Sequence, residues 1–314
     1  MKNVSLVEPY QYDFLPFQRP IFDIAEELGF RTENNYGRFP RIFHYFIYHW
    51  PVNFHLPFIQ SKNVKLQFVS ATHPGPMIFP YAFRNELIPV IWDCWPRCRE
   101  QIQRLMNTCD INIAFFTQRA NVDFFSKLYP NKKIYFLPEA INTSLYHTGC
   151  ELCKRDIDVI EYGRSNGVIH DEIRKLSGIK HIFPKHKQQL FNCFDDLAMA
   201  ISNSKIAIAY PRSLTEKELS GGLETLTQRY WECMYSGTLI IGHAPNELVD
   251  LVGYNPVIEA NPTEISKIIN KVLSQLSSYQ ELANKNVKSA TIYGSWEKRL
   301  IYLRDILKLN GYLI

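Results

Sequence analysis

A chain of 314 residues, 46% of them hydrophobic, has apolar material for two cores of roughly 150 residues each, and its composition excludes a disordered or fibrous protein. The net charge of +4 is small and spread along the chain, too mild to suggest nucleic acid on its own and compatible with a small anionic ligand. Seven cysteines are an odd count in a large chain, so the sequence points to a reducing, cytoplasmic setting rather than a disulfide framework.

From the N-terminus, Met1–Ser5 shows no secretory signal pattern. No window reaches the roughly 18 consecutive apolar residues of a membrane span. The richest, residues 42–57, is interrupted by His44, His49, Asn53 and His55. Residues 19–28 read as a helix, whereas the aromatic, proline-broken stretch 42–58 has no assignable period. Strands are expected at 64–69 and 87–92, a helix at 99–108, a strand at 111–116, a helix at 120–128 and a strand at 133–137. The polar segment 142–154 has no period and marks a domain boundary. The alternation then restarts with strands at 158–162 and 179–183, a helix at 188–202 and a strand at 205–210. A helix at 225–235, a strand at 238–241, a short helix at 247–252, a strand at 256–258 and helices at 262–276 and 295–309 complete the series. Repeated βα alternation implies two parallel sheets covered by helices, with functional residues in the turns after strands.

Two glycines, Gly221 and Gly222, precede the expected helix at 225–235, and Gly237 closes it. A helix N-terminus offers unpaired N–H groups that suit a phosphate, and glycine lets the backbone approach it. Glu224 stands just before this terminus. Glu232 lies eight residues on, roughly 12 Å along a helix rising about 1.5 Å per residue. A nucleotide-diphosphate sugar has a comparable layout, with hydroxyls at both ends and phosphates between. The competing reading of Glu224 and Glu232 is a solvated helix face.

This Glu224-x7-Glu232 pattern resembles the E-x7-E motif of retaining GT-B glycosyltransferases of the group 1, family-4-like kind, in a divergent branch with an arginine, here Arg229, three residues before the second glutamate. Leu137–Asn142 is similar to that family's turn into the interdomain linker, with Ala140 and Asn142 in place of its Gly and Asp. Glu161–Arg164 resembles its Gly-Arg turn after the first strand of the C-terminal domain, and Ser295–Arg299 its Ser-Trp-x-x-Arg segment. The resemblance covers residues 135–305 and implies an α/β GT-B fold of two Rossmann-like, doubly wound domains facing across a cleft. The expected domains are residues 1–148 on the acceptor side and 149–314 on the nucleotide-sugar side, with the last helix a candidate to pack back on the first domain.

The roles implied are Glu224 on the donor-sugar hydroxyls, Gly163, Gly222 and the amides of Thr225 and Leu226 around the diphosphate, Arg164 and Arg229 as cations of the donor site, and Glu232 on the ribose. The lysine that follows the family's arginine is absent here, which leaves diphosphate charge to Arg164, with Arg212 or Lys217 as further candidates. The implied reaction is metal-independent transfer of a sugar with retention, stabilised at the leaving diphosphate by Arg164 and the helix terminus, with no protein nucleophile. No cofactor or metal is expected. The expected partners are a nucleotide-sugar donor and an acceptor of unidentified class, a nucleic acid staying open beside a glycan, lipid or small molecule, with peripheral membrane contact compatible with the sequence and no oligomeric state indicated.

Other residues admit two readings. His73, after the strand at 64–69, is a sugar-facing imidazole or a turn residue set by Pro74 and Pro76. Asp93 orients an acceptor or caps a helix, capping being favoured, and Arg119 pairs an anionic acceptor or lies at the surface. Asp156-x-Asp158 matches a metal motif by spacing but precedes its strand and reads as structural. Cys94, Cys98, Cys150 and Cys153 would bind zinc only if the two pairs met in space. The aromatic run 44–50 and Trp296 read as core. His243 would serve a nucleotide-sugar epimerase or hydrolase built on the same architecture. A degenerate, non-catalytic GT-B scaffold is the remaining alternative.

Overall fold

The computed structural model describes residues 2–8, 19–34, 61–72, 74–78, 81–163, 166–184, 190–191 and 193–314. The chain divides into two compact units. One comprises Met1–Pro138, Glu218–Leu223 and Glu297–Ile314, and the other Glu139–Lys217 and Glu224–Trp296. The main crossing therefore falls after Pro138, ahead of the expected boundary at 148/149, and the last helix, Trp296–Leu309, lies almost wholly within the first unit.

The first unit holds β1 (Lys2–Glu8), β2 (Thr32–Asn34), β3 (Val64–Ser70), β4 (Leu87–Trp92), β5 (Ile113–Phe116), β6 (Lys133–Phe136) and, from the end of the chain, β12 (Tyr312–Leu313). They form one seven-stranded sheet in the order β12-β1-β3-β4-β5-β6, with β2 also on β1, and every pairing is parallel. β3 and β4 bury nearly every residue, as strands covered on both faces must, so they appear in the sequence as continuous apolar runs. Helices Arg99–Thr108 and Arg119–Leu128 cover the sheet through Ile102, Leu105, Met106 and Phe125. Lys65 enters this core because its ammonium is held by Ser5 Oγ at 2.9 Å and Glu33 Oε2 at 2.5 Å.

The second unit holds β7 (Ile157–Ile160), β8 (His181–Ile182), β9 (Ser204–Ala209), β10 (Leu239–Gly242) and β11 (Val257–Glu259), in the parallel order β11-β10-β9-β7-β8. One face is covered by helices Phe194–Ser202 and Gln228–Tyr235, the other by Gly167–Arg174 and Ile265–Ser274. A further helix, Gln280–Tyr293, was not expected from the sequence. Its buried side chains are Ala283, Asn286, Ser289 and Ala290, and Asn286 earns burial by donating to Pro256 O at 3.0 Å and accepting from Tyr254 Oη at 2.8 Å.

At the amino ends of these strands Arg155 is 4% exposed. Its guanidinium donates to Cys150 O (2.9 Å), Ser204 O (2.8 Å), Thr238 Oγ1 (3.0 Å) and Ser236 O (3.1 Å), tying together the starts of β7, β9 and β10. Burial without a carboxylate partner pulls its pKa down to about 10, still protonated at neutral pH. No helix among the described residues is long and apolar enough to cross a membrane.

Candidate functional site

At the carboxyl ends of β7 and β9 the second unit opens into a small, solvent-open concavity. Its wall includes Tyr162, Asn166, Tyr210, Thr215, Glu216 and Arg229. The placement follows from topology: the turns after parallel strands are where backbone groups and side chains are left uncovered. Tyr210 is anchored by donating to Ala260 O at 2.8 Å. Asn166 accepts from the amides of Val168 and Ile169 at 3.1 and 3.3 Å, starting the next helix.

Arg229 is the cation of this wall. It stands on the first turn of helix Gln228–Tyr235, with its guanidinium 5.1 Å from the centroid of the Tyr162 ring. Its Nε is buried and has no hydrogen-bond partner among the described residues. Gly163 stands beside it at φ +74°, a left-handed conformation that favours glycine, and a Cβ there would push an Arg229 terminal nitrogen aside. A cation with an uncommitted donor in a concave, aromatic-walled site is equipped to hold an anion.

Glu224 belongs to a second cluster, at the end of β10. Its Oε1 lies 3.2 Å from His243 Nε2, and its Oε2 accepts from the amide and side chain of Asn246, both at 3.2 Å. On the other side of the imidazole, Nδ1 lies 2.9 Å from Glu259 Oε2, while Glu259 Oε1 accepts from Ala244 N at 3.0 Å. Burial alone would lower the His243 pKa, but the bonds and charges of Glu259 and Glu224 outweigh it and hold it above its ordinary value. Burial likewise pushes Glu259 up, and its bonds from Ala244, Asn255 and His243 turn the net shift downward. The imidazole is thus fixed between two carboxylates with both nitrogens engaged.

Glu232 sits elsewhere. It is 7% exposed, and its carboxylate accepts from Tyr146 Oη at 2.7 Å and Tyr162 Oη at 2.9 Å. Burial raises its pKa despite these bonds and the nearby charge of Arg229. Binding a ribose through this group would require both tyrosine bonds to give way. The helical layout expected between the two glutamates is also absent: the helix begins at Gln228, not at Thr225. Thr225 and Leu226 are buried, and the Leu226 amide donates to Glu247 Oε2 at 3.2 Å, so it is committed to a carboxylate instead of facing an open helix terminus. Gly222 is exposed, at φ +76°, within the segment Glu218–Leu223 assigned to the first unit.

His73 and Arg164 lie outside the described residues, as does the aromatic run 44–50. Asp93 adopts φ +52°, and the N-cap of the following turn is Trp95. Arg119 lies over the Phe136 ring at 4.9 Å. Arg212 pairs with Glu216 at 2.6 Å. Asp158 bonds Lys205 Nζ at 2.6 Å and Lys180 N at 2.8 Å, and Trp296 is 1% exposed. Burial pushes the Cys94 thiol up to about 12, so it stays protonated, while Cys150 and Cys153 are exposed. The sequence reading names Glu161 only as part of the Glu161–Arg164 turn and gives no role to His170, His181 or Glu259. Their partners are brought together by strand pairing and helix packing, so no short motif exposes them.

No family model matches the chain, and no curated protein sequence matches it. Solved structures do. Sucrose-phosphate synthase of Thermosynechococcus elongatus superposes with a TM-score of 0.63 at 9% identity, covering 99% of both chains. Anabaena HepE in complex with UDP and glucose gives 0.62 at 9% identity, covering 98% of this chain and all of that one (100%). A UDP-N-acetylglucosamine 2-epimerase gives 0.55 at 11% identity, covering 99% and 97%. Two parallel-sheet α/β units, matched along the full chain to such structures, identify the fold as GT-B.

Proposed function

We propose that the protein is a glycosyltransferase that moves a sugar from a nucleotide-diphosphate sugar to an acceptor, with retention at the anomeric carbon. The observation that carries this reading is the buried Nε of Arg229, without a partner among the described residues, on the wall of the concavity at the ends of β7 and β9. A guanidinium held there by the Tyr162 ring suits a diphosphate, and in the transition state it would meet the charge that develops on the leaving group. Arg164, from the sequence resemblance, is the second cation assigned to that anion. Glu224, oriented by His243 and Asn246, is the carboxylate for donor-sugar hydroxyls. The HepE structures with UDP and with UDP-glucose support this donor class by likeness of fold. Free thiols at Cys94, Cys98 and Cys233, all buried, suit a reducing compartment such as the cytoplasm.

A thermal-shift panel of UDP, GDP, ADP and CMP with their sugars tests this on wild type, Arg229→Ala and Glu224→Ala. A ligand that binds only the folded chain raises Tm. One nucleotide should raise Tm in wild type and lose most of that effect in Arg229→Ala, while Glu224→Ala should lose only the increment added by the sugar. No shift with any nucleotide would leave a non-catalytic scaffold as the better reading. A second enzymatic reading, a nucleotide-sugar epimerase or hydrolase, is favoured by His243 clasped between Glu224 and Glu259. Donor turnover without an acceptor, abolished in His243→Gln, would select it.

A further inference from the structure

We propose that Glu161, His170 and His181 form a binding site for a zinc-class divalent cation. Three neighbouring elements bring them together. Glu161 follows β7 directly, and its amide donates to Ile182 O of β8 at 2.8 Å. His181 lies on β8, in register with Val159 of β7. His170 sits on the helix Gly167–Arg174 that covers this edge of the sheet. The Glu161 Oε1 atom is 3.0 Å from His170 Nδ1 and 2.7 Å from His181 Nε2, and the three donor atoms all lie within 4.8 Å of one another.

Two imidazole nitrogens and one carboxylate oxygen are a donor set that zinc takes in sites with an open fourth position. At zinc–ligand distances of about 2.0–2.2 Å, tetrahedral geometry separates the ligand atoms by roughly 3.3 Å. The two observed separations would open by roughly 0.3 and 0.6 Å, and the two imidazole nitrogens would settle to the same spacing. The side chains of Glu161 and His181 are each 8% exposed and that of His170 is 21% exposed, so the ligands are largely withdrawn from water. The Phe183 ring, 4.3 Å from His170 and 4.8 Å from His181 between centroids, backs both imidazoles and limits their rotation. Glu161 and Ile169, the neighbour of His170, also line the concavity. A fourth ligand, a water or an oxygen of a bound anion, would therefore approach from that side. The competing account is a carboxylate that merely hydrogen-bonds two imidazoles. That arrangement needs no ion and would show no selective affinity for one.

The test uses the full chain, stripped with a chelator and dialysed. Zinc is then titrated in competition with a chromogenic chelator, and cobalt is substituted for spectroscopy. Wild type should bind one equivalent of zinc. Affinity should fall in His170→Ala and His181→Ala by more than the roughly 10–100-fold that loss of an outer-shell partner costs. Cys150→Ser/Cys153→Ser should bind as wild type does. The cobalt form of wild type should show visible d–d bands without a thiolate charge-transfer band, a readout that does not depend on any variant folding. His170→Gln, which keeps a polar side chain beside Glu161, guards against a folding artefact in His170→Ala. No stoichiometric zinc on folded wild type would overturn the site, as would a thiolate band or affinity unchanged in folded His170 and His181 variants.

Discussion

The two ends of the second sheet use the same side-chain chemistry to opposite ends. At the amino ends of β7, β9 and β10, the Arg155 guanidinium is spent on three backbone carbonyls and a threonine hydroxyl. At the carboxyl ends, Arg229 is held over a tyrosine ring and keeps a buried nitrogen without a partner among the described residues. A satisfied buried charge fixes the strands' starting points. An unsatisfied one is tolerated where something else is to supply the missing acceptor. A parallel sheet separates the two tasks because all its strands begin at one end and finish at the other.

Substitution at the two arginines should break them apart. Arg155→Met leaves several buried acceptors unpaired and should cost about 3 kcal/mol of stability in chemical denaturation, with nucleotide Kd in the folded fraction unchanged. Arg229→Ala should do the reverse, weakening nucleotide binding by about 2 kcal/mol, roughly 30-fold by calorimetry, while stability moves by less than about 0.5 kcal/mol. If Arg229→Ala unfolded the chain while leaving affinity intact in what stayed folded, the division of labour would be lost. Glu232 lies on the structural side of the same divide. Glu232→Ala strands the Tyr146 and Tyr162 hydroxyls and should cost about 1.5 kcal/mol, more than Glu232→Gln, which keeps an acceptor in place. Loss of ribose-dependent affinity in a fully stable Glu232→Gln would move it to the other side.

The smallest effect is a pH dependence at His243. Its folded pKa is raised, so the stability it contributes is fully present below the unfolded value of about 6.5 and fades as pH rises through the folded one. The Tm gap between wild type and His243→Gln should therefore narrow from acidic to alkaline buffer. A gap that widens would show that the imidazole is not held as the cation between Glu224 and Glu259.

Much of the sheet architecture was legible because fully buried parallel strands announce themselves: Leu87–Trp92 and, within β9, Ile206–Ala209 are unbroken apolar runs. β1 was not read as a strand because Ser5 and Glu8 interrupt it, although both are buried. Helix Gln280–Tyr293 escaped notice because it packs with Asn286, Ser289 and two alanines, which leave little apolar period. The glutamate pair was visible, but its geometry was not. Glu224 to Thr227 form no helix, and the Leu226 amide is taken by Glu247, a carboxylate 21 residues away that no local pattern reveals. The residues around Glu161 and His243 are joined by strand register and helix packing. Spacing in the sequence does not encode such contacts, whereas a special backbone position at Gly163 could be suspected from a glycine in the turn after a strand.

The pairing of β1 with β12, Lys2 against Tyr312, sets a schedule as well as a shape. Leu300, Leu303 and Leu307, all fully buried, belong to the same late segment. During synthesis the first strand of this unit is made long before the helix and strand that complete it, so its sheet cannot be completed until the chain of the second unit has been made. The usual order, in which the earlier-made domain folds first, is inverted for these few elements.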